Sequence, residues 1–277
     1  AKDALRRVAE LLKAGYVHVV DADIQSYYDT IPRQPLLGQV RGKVADSKVL
    51  DLLEAYLEQE VVESAKHWMP EEGTPQGAVI SPLLSNIYLD SLDHQMAQHG
   101  YEMVRYADDF VILCRSESEA QRALAEVEEW TAAAGLRLHP EKTRIVAAVP
   151  RGGFDFLGYH FERGYRWPSR KSLRKFQDKI RARTKRSNGH SLQRTISELV
   201  PIQRGWFEYF KHSHWPTFKD LDSWIRMRFR SMLRHRQGLK GRGRGKDHHR
   251  WPNAFFAELG LFSFTAAYAQ ARQSSRR

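Results

Sequence analysis

The sequence predicts an α+β protein in two parts, an antiparallel or mixed sheet backed by helices and then a mainly α-helical, strongly basic segment. Three observations carry this. Apolar periodicities before Pro150 run in the order strand, helix, helix, hairpin, helix, strand. The formal net charge of +11 is unevenly divided, with −9 over residues 1–150 and +20 over residues 151–277. The stretch Val104 to Cys114, VRYADDFVILC, sets two strand-like runs around Ala107-Asp108-Asp109 and reads as a hairpin with two acids at its tip.

A chain of 277 residues holds one large or two ordinary domains, and 42% hydrophobic with 28% charged residues suits a folded core. Cys114 is the only cysteine, which excludes a disulfide framework or a cysteine-cluster zinc site within one chain. In its apolar strand it reads as a small core residue. No apolar run reaches membrane-spanning length and no secretory signal is present, so no membrane partner is expected.

Taken in order, residues 3–13 place Leu5, Val8, Ala9 and Leu12 on one helical face, and Gly15 closes that helix. Tyr16 to Asp23 is a strand whose alternation puts Val17, Val19, Asp21 and Asp23 on one face. Pro32 and Pro35 open a helical region with a stripe of Val49, Leu52, Leu53 and Tyr56. Glu71 to Ser81 is a Gly/Pro loop before a helix with Ser81 as its N-cap and Pro82 in its first turn. After the hairpin, Ser116 and Glu119 form a capping box for a helix ended by Gly135, and Arg144 to Val149 is a further strand.

Composition shifts over residues 150–170, and the chain divides into domains 1–162 and 163–277. Phe154 to Phe161 reads as one aromatic strand, continued by Tyr165-Arg166-Trp167 as the other arm of a small hairpin. Lys171 to Arg186 is an amphipathic helix with Leu173, Phe176 and Ile180 inward and eight Lys/Arg around them. Helices rich in Trp, Phe and Arg follow, with a flexible basic loop, GLKGRGRGK, at 238–246.

Three carboxylates stand out: Asp23 at a strand end, and Asp108 with Asp109 at the hairpin tip. Crowded carboxylates repel one another, so gathering them costs stability unless cations hold them ionised. They form the kind of clamp that two Mg²⁺ ions use in an in-line displacement at phosphorus. The segments VVDADIQSYYDTI, GTPQGAVISPLLSNIYLD, VRYADDFVIL, HPEKT and FDFLGYHF occur in an order and at spacings that resemble those of a reverse transcriptase palm. PIQRGWFEYF and RWPNAFFAELGLFS follow them. Together they resemble group II intron reverse transcriptases with their maturase-specific thumb region, over nearly the whole chain.

That resemblance implies a right-hand polymerase palm followed by a helical thumb/maturase domain. It also implies an RNA-directed DNA polymerase that assists intron splicing and mobility. Carried over by position, Asp23 and Asp108 bind two Mg²⁺ ions, or Mn²⁺, helped by the Ile24 carbonyl, and Asp109 completes the acidic site. Asp21 does not align with the family's catalytic acid. Tyr28 forms the floor that rejects a ribose 2′-hydroxyl, Gln76 and Gly77 contact the incoming nucleotide, and Lys142 approaches the departing pyrophosphate. Leu157 and Gly158 resemble the primer grip, and Lys171, Arg174, Lys175, Lys179, Arg181 and Arg183 form the RNA-binding face. The implied partners are an intron RNA template, a DNA primer or target and dNTPs, in a bacterial cytoplasm.

The sequence departs from the family in three ways. It has no counterpart of the fingers before the palm, and it opens on Ala1, so a piece of a longer enzyme is expected. Tyr28 stands where intron enzymes more often carry Phe, and no Cys/His endonuclease module follows Arg277. Two other functions remain open: an RNA-binding splicing cofactor with a non-polymerising palm, and a retron or CRISPR-associated reverse transcriptase. Retention of all three acids argues against the first and the maturase-like region against the second.

Overall fold

The computed structural model describes residues 1–59, 61–63, 66–68, 72–74, 78–149 and 152–274. It divides into two compact units, Ala1–Leu157 with Glu162–Gly164, and Gly158–Phe161 with Tyr165–Arg277.

The first unit opens with α1 (Lys2–Lys13), β1 (His18–Ala22), α2 (Tyr27–Thr30), α3 (Arg33–Arg41) and α4 (Ser47–Leu57). The short strands β2 (Val61–Glu63) and β3 (Lys66–Trp68) pair antiparallel. Then come α5 (Ser81–Gln98), β4 (Glu102–Tyr106), β5 (Asp109–Cys114), α6 (Glu117–Ala133), β6 (Arg144–Ala147) and β7 (Phe154–Phe156). The main sheet has the order β4-β5-β1-β6, and every pairing in it is antiparallel. The expected layer of sheet and helices is therefore present, with the sheet antiparallel rather than mixed.

Strand alternation sends Val20, Ala22, Phe110, Ile112 and Cys114 into one core with Leu84, Leu89 and Leu92 of α5 and Ala120, Ala123 and Val127 of α6. Alternate residues Val19, Val111 and Leu113 are also fully buried, on the opposite face, and α1 packs against β4 and β5. A sheet covered on both faces explains why β5 reads as a continuous apolar run.

Local chemistry sets the ends of the helices. Ser116 Oγ accepts the Glu119 N–H at 3.2 Å while Glu119 Oε2 accepts the Arg115 N–H at 2.8 Å, and Gly135 leaves α6 at φ +70°. Ser81 is the first residue of α5 and not its cap, since the helix begins after Ile80. The buried stripe of α1 is Leu5, Val8 and Leu11, one position off the Ala9/Leu12 reading. On α4 the expected stripe opens to solvent at Val49 and Leu52, and only Leu57 is fully buried.

Phe154 to Phe161 is two strands and not one. β7 ends at Phe156, Leu157 and Gly158 turn the chain at φ +48° and +77°, and β8 (Tyr159–Glu162) follows. Positive φ at both central residues is the signature of a tight hairpin turn. Arg163 and Gly164 repeat it at +52° and +75° before β9 (Tyr165–Pro168), which neighbours β8 in its sheet.

The second unit continues with α7 (Arg170–Arg183), α8 (Leu192–Phe210), α9 (Pro216–Arg236), α10 (Asp247–Arg250), α11 (Asn253–Glu258) and α12 (Phe264–Ser274). Phe176, Ile180, Leu199, Phe207, Phe218, Phe229 and Phe264 form its core. α7 stops at Arg183, before the expected Arg186, where Arg228 of α9 donates to Thr184 Oγ1 at 2.6 Å and to the Thr184 carbonyl at 3.1 Å. The Gly-rich loop is pinned and not free at Gly243, whose N–H donates to Ser231 Oγ at 3.2 Å. A Cβ there would lie 2.4 Å from Arg230 Cβ, so only glycine fits against α9. Among the described residues no helix is long and apolar enough to cross a membrane.

Candidate active site

The acidic hairpin is tighter than its sequence suggests. Tyr106 pairs with Asp109, so the loop is only Ala107-Asp108, and Asp109 is the first residue of β5. Ala107 takes φ +58°, a costly conformation for a residue with a Cβ. Arg105 stabilises it. Its guanidinium donates to the Ala107 carbonyl and to Asn86 Oδ1, both at 2.8 Å, and pairs in a forked geometry with Asp93 of α5, Nε to Oδ1 at 2.8 Å. A rigid helix thus holds the turn that presents Asp108.

β1 brings up the third acid. Ala22 pairs with Phe110, so extending the register by one residue sets Asp23 against Asp109. Asp21 pairs with Val111 on one side and Arg144 on the other. Crowding then shapes the charges. Asp109 is open to solvent at its edge, yet the surrounding protein strips enough hydration from its carboxyl to push its pKa up to about 6. The Leu157 N–H, 3.4 Å away, opposes that shift, and the charges of Asp21, Asp108 and Asp23 add to it. Burial likewise raises Asp21, with Arg144 opposing and Asp155 and Asp23 adding.

Two cations from the β6 side answer part of this charge. Lys142 Nζ lies 2.8 Å from Asp23 Oδ2, and Arg144 Nε lies 3.3 Å from Asp21 Oδ2. The side-chain donors gathered here are carboxylate oxygens, a set that suits a hard divalent ion such as Mg²⁺ better than a thiolate-seeking one. Asp23, Asp108 and Asp109 share one neighbourhood, but among the described residues no three His, Cys, Asp or Glu side chains converge tightly enough to hold a single ion. Ile24, whose carbonyl was expected to assist, is buried and bridges to Leu138.

Tyr28 packs edge-on against Tyr27 with ring centroids 5.6 Å apart. It lines a cavity of about 670 Å³ together with Asn86, Arg105, Tyr106 and Ala107, beside the acidic turn. Gln76 and Gly77 lie outside the described residues. The loop leading to them is docked, since Thr74 N–H donates to the Tyr28 carbonyl at 2.7 Å and Gly73 N–H to that of Ile31 at 2.9 Å. Leu157 and Gly158 occupy the β7–β8 turn. Lys171, Arg174, Lys175, Lys179 and Arg181 are exposed along α7, with Arg183 half-buried; all but Arg181 line a groove of about 760 Å³.

Sequence reasoning passed over Arg105, Asp155, Arg144 and Gly73. Gly73 sits at φ +83°, and a Cβ there would lie 2.6 Å from the Tyr28 carbonyl oxygen. The one signal available was the glycine in the GTPQG segment. Asp155 alternates with buried Phe154 and Phe156, which marks it only as an outward-facing strand residue.

Residues 3–161, more than half of the chain, match the family model described as reverse transcriptase (RNA-dependent DNA polymerase). Residues 173–251 match the group II intron, maturase-specific domain. Protein YkfC of Escherichia coli K12 is 28% identical over 180 residues, covering 52% of this chain and 47% of that protein. The group II intron-encoded protein LtrA of Lactococcus lactis subsp. cremoris is 37% identical over 79 residues, 28% of this chain and 13% of that protein. The chain thus spans less than half the length of either relative. The apo telomerase structure of Candida tropicalis matches with a TM-score of 0.51 at 10% identity, over 96% of this chain and 50% of that one, a likeness of fold alone.

Proposed function

The chain belongs to the reverse transcriptase (RNA-dependent DNA polymerase) family and carries a group II intron maturase-specific domain, and from that premise we propose its specific chemistry. It extends a DNA primer on an intron RNA template with dNTPs, in a bacterial cytoplasm, while its basic helical unit grips intron RNA to assist splicing and mobility. The observation that supports this most is the gathering of Asp23, Asp108 and Asp109 at one end of an antiparallel sheet.

Two Mg²⁺ ions, or Mn²⁺, held by Asp23, Asp108, Asp109 and the Ile24 carbonyl, would supply activation of a 3′-hydroxyl and charge stabilisation on the leaving pyrophosphate. The chain's own groups supply the rest. Arg105 fixes the Asp108 turn to α5. Lys142, beside Asp23, brings a mobile positive charge toward a leaving polyphosphate. Tyr28 presents a ring beneath the sugar and rejects a 2′-hydroxyl by steric clash. Gln76 and Gly77 contact the nucleotide, and Leu157 and Gly158 steady the primer end.

A splicing cofactor without polymerase activity would have no use for carboxylates crowded at a cost to the metal-free fold, which favours the enzyme. The maturase-specific match favours an intron setting over a retron or CRISPR-linked one. Primer extension on an RNA template tests the reading. Template-dependent dNTP incorporation requiring a divalent ion is expected, and Tyr28→Ala should raise ribonucleotide use relative to deoxyribonucleotide. Incorporation by the chain alone is expected to be weak, so the assay is run with a fingers segment joined ahead of it; RNA binding with no template-dependent incorporation there, in Mg²⁺ or Mn²⁺, would leave the splicing-cofactor reading in its place.

A further inference from the structure

The second unit keeps nearly all its aromatic mass inside. Phe176, Phe207, Phe218, Phe229 and Phe264 are buried, and Phe176 stacks on Trp206 at 4.6 Å. Among its described residues the exposed large apolar side chains are Tyr165 at 55%, Trp215 at 50% and Leu239 at 41%. One of these three, Tyr165, belongs to a cluster of rings, and a second, Trp215, adjoins that cluster in the chain. Tyr165 lies 5.9 Å from Trp167 and 4.7 Å from His214, Trp167 lies 5.7 Å from His214, and Trp215 is the next residue.

The cluster is built and not incidental. Along β9 the side chains alternate, so Tyr165 and Trp167 share one face while Arg166 points to the other. There Arg166 Nε donates to the His212 carbonyl at 3.0 Å, and the Arg166 carbonyl accepts the His214 N–H at 2.8 Å. These two bonds clamp the α8–α9 connection to β9 and bring His214 against both rings. Pro216 then opens α9, and Lys219 Nζ stands 5.8 Å from the Trp215 ring centre.

A set of rings exposed at Tyr165 and Trp215 and half-buried at Trp167 and His214, with a cation beside it in a segment of net charge +20, matches how unpaired bases are held, by stacking on aromatic faces while charge draws in the backbone. A paired strand hides the faces of its bases, so a duplex cannot use such a surface. We infer that Tyr165, Trp167, His214 and Trp215 form a stacking platform for unpaired bases of RNA, separate from the phosphate-binding face of α7. This rests on the proposed reading of the second unit as RNA-binding, and adds to it a site that takes bases.

The test is equilibrium binding of the full chain to three probes: a single-stranded oligo(A) RNA of about 12 nucleotides, an RNA duplex of equal length, and the oligomer with its bases removed. Tyr165→Ala and Trp215→Ala, at exposed positions, should each weaken oligo(A) binding by about tenfold, the loss of one stacked base, and leave duplex affinity unchanged. Tyr165→Phe should bind as the parent does, and oligo(A) should quench tryptophan fluorescence where the abasic strand does not. Unchanged oligo(A) affinity in both alanine variants would overturn the platform and leave this face to a protein partner. Equal losses on the duplex, or equal affinity for the abasic strand, would overturn it as well. Tenfold tighter binding of oligo(dA), with the same variant losses, would overturn the assignment to RNA. A parent chain that binds none of the probes would overturn the RNA-binding reading itself.

Discussion

Lys142 reaches Asp23 from 119 residues further along the chain, its Nζ 2.8 Å from Asp23 Oδ2. Both side chains are about half exposed, and such pairs contribute only about 0–1 kcal/mol. The contact is therefore weak enough for a divalent ion to displace. Replacing Lys142 with Met should tighten Mn²⁺ binding up to about fivefold, measured by calorimetry, because Asp23 no longer has a competing cation. Weaker binding in the variant would show that the lysine supports the ion site instead of competing with it.

Gly73 makes a separate prediction. At φ +83°, and with a Cβ there falling 2.6 Å from the Tyr28 carbonyl oxygen, it has no room for a methyl group, so Gly73→Ala should cost more than about 1 kcal/mol by denaturant titration. It should also raise the KM for dNTP, because the docked loop leads to Gln76 and Gly77. Parental stability and KM would mean that the loop adapts elsewhere.

Cys114 tests the core of the sheet. It is fully buried on β5, and burial pushes its thiol up to about 12, so at neutral pH almost no reactive thiolate exists. The native chain should resist a thiol reagent over hours and react at once in denaturant. Rapid modification in the native state would show that β5 opens readily.

The basic face of α7 should act through counterion release. Changing Lys171, Arg174, Lys175, Lys179, Arg181 and Arg183 to Gln should flatten the slope of log affinity against log salt on single-stranded RNA, by roughly 0.7 for each phosphate that these side chains neutralise. An unaltered slope would place the phosphate-binding cations on another surface.

Much of this architecture was legible because it depends on local pattern. The β-branched runs of β1 and β5 and the Ser116–Glu119 cap each read correctly from their own residues. The Leu157-Gly158 turn was missed because aromatic density on both sides resembles one long strand, and only the two positive φ angles break it. Arg105 and Gly73 were illegible for a different reason. Their roles arise from approach to Asp93 and to the Tyr28 backbone, neighbours that no spacing encodes. Asp21, set aside because it does not align with the family's catalytic acid, shares the electrostatic neighbourhood of Asp109 through the register of β1 against β5.

The claim that Asp23, Asp108 and Asp109 form a metal-dependent polymerase centre is tested most directly by Asp108→Asn. That change keeps the shape of the turn braced by Arg105 and removes one carboxylate charge. In the chain joined to a fingers segment, RNA-templated primer extension should fall by at least about a hundredfold, while affinity for RNA, supplied by the basic unit, stays within about twofold of the parent. Extension at the parental rate would contradict the account.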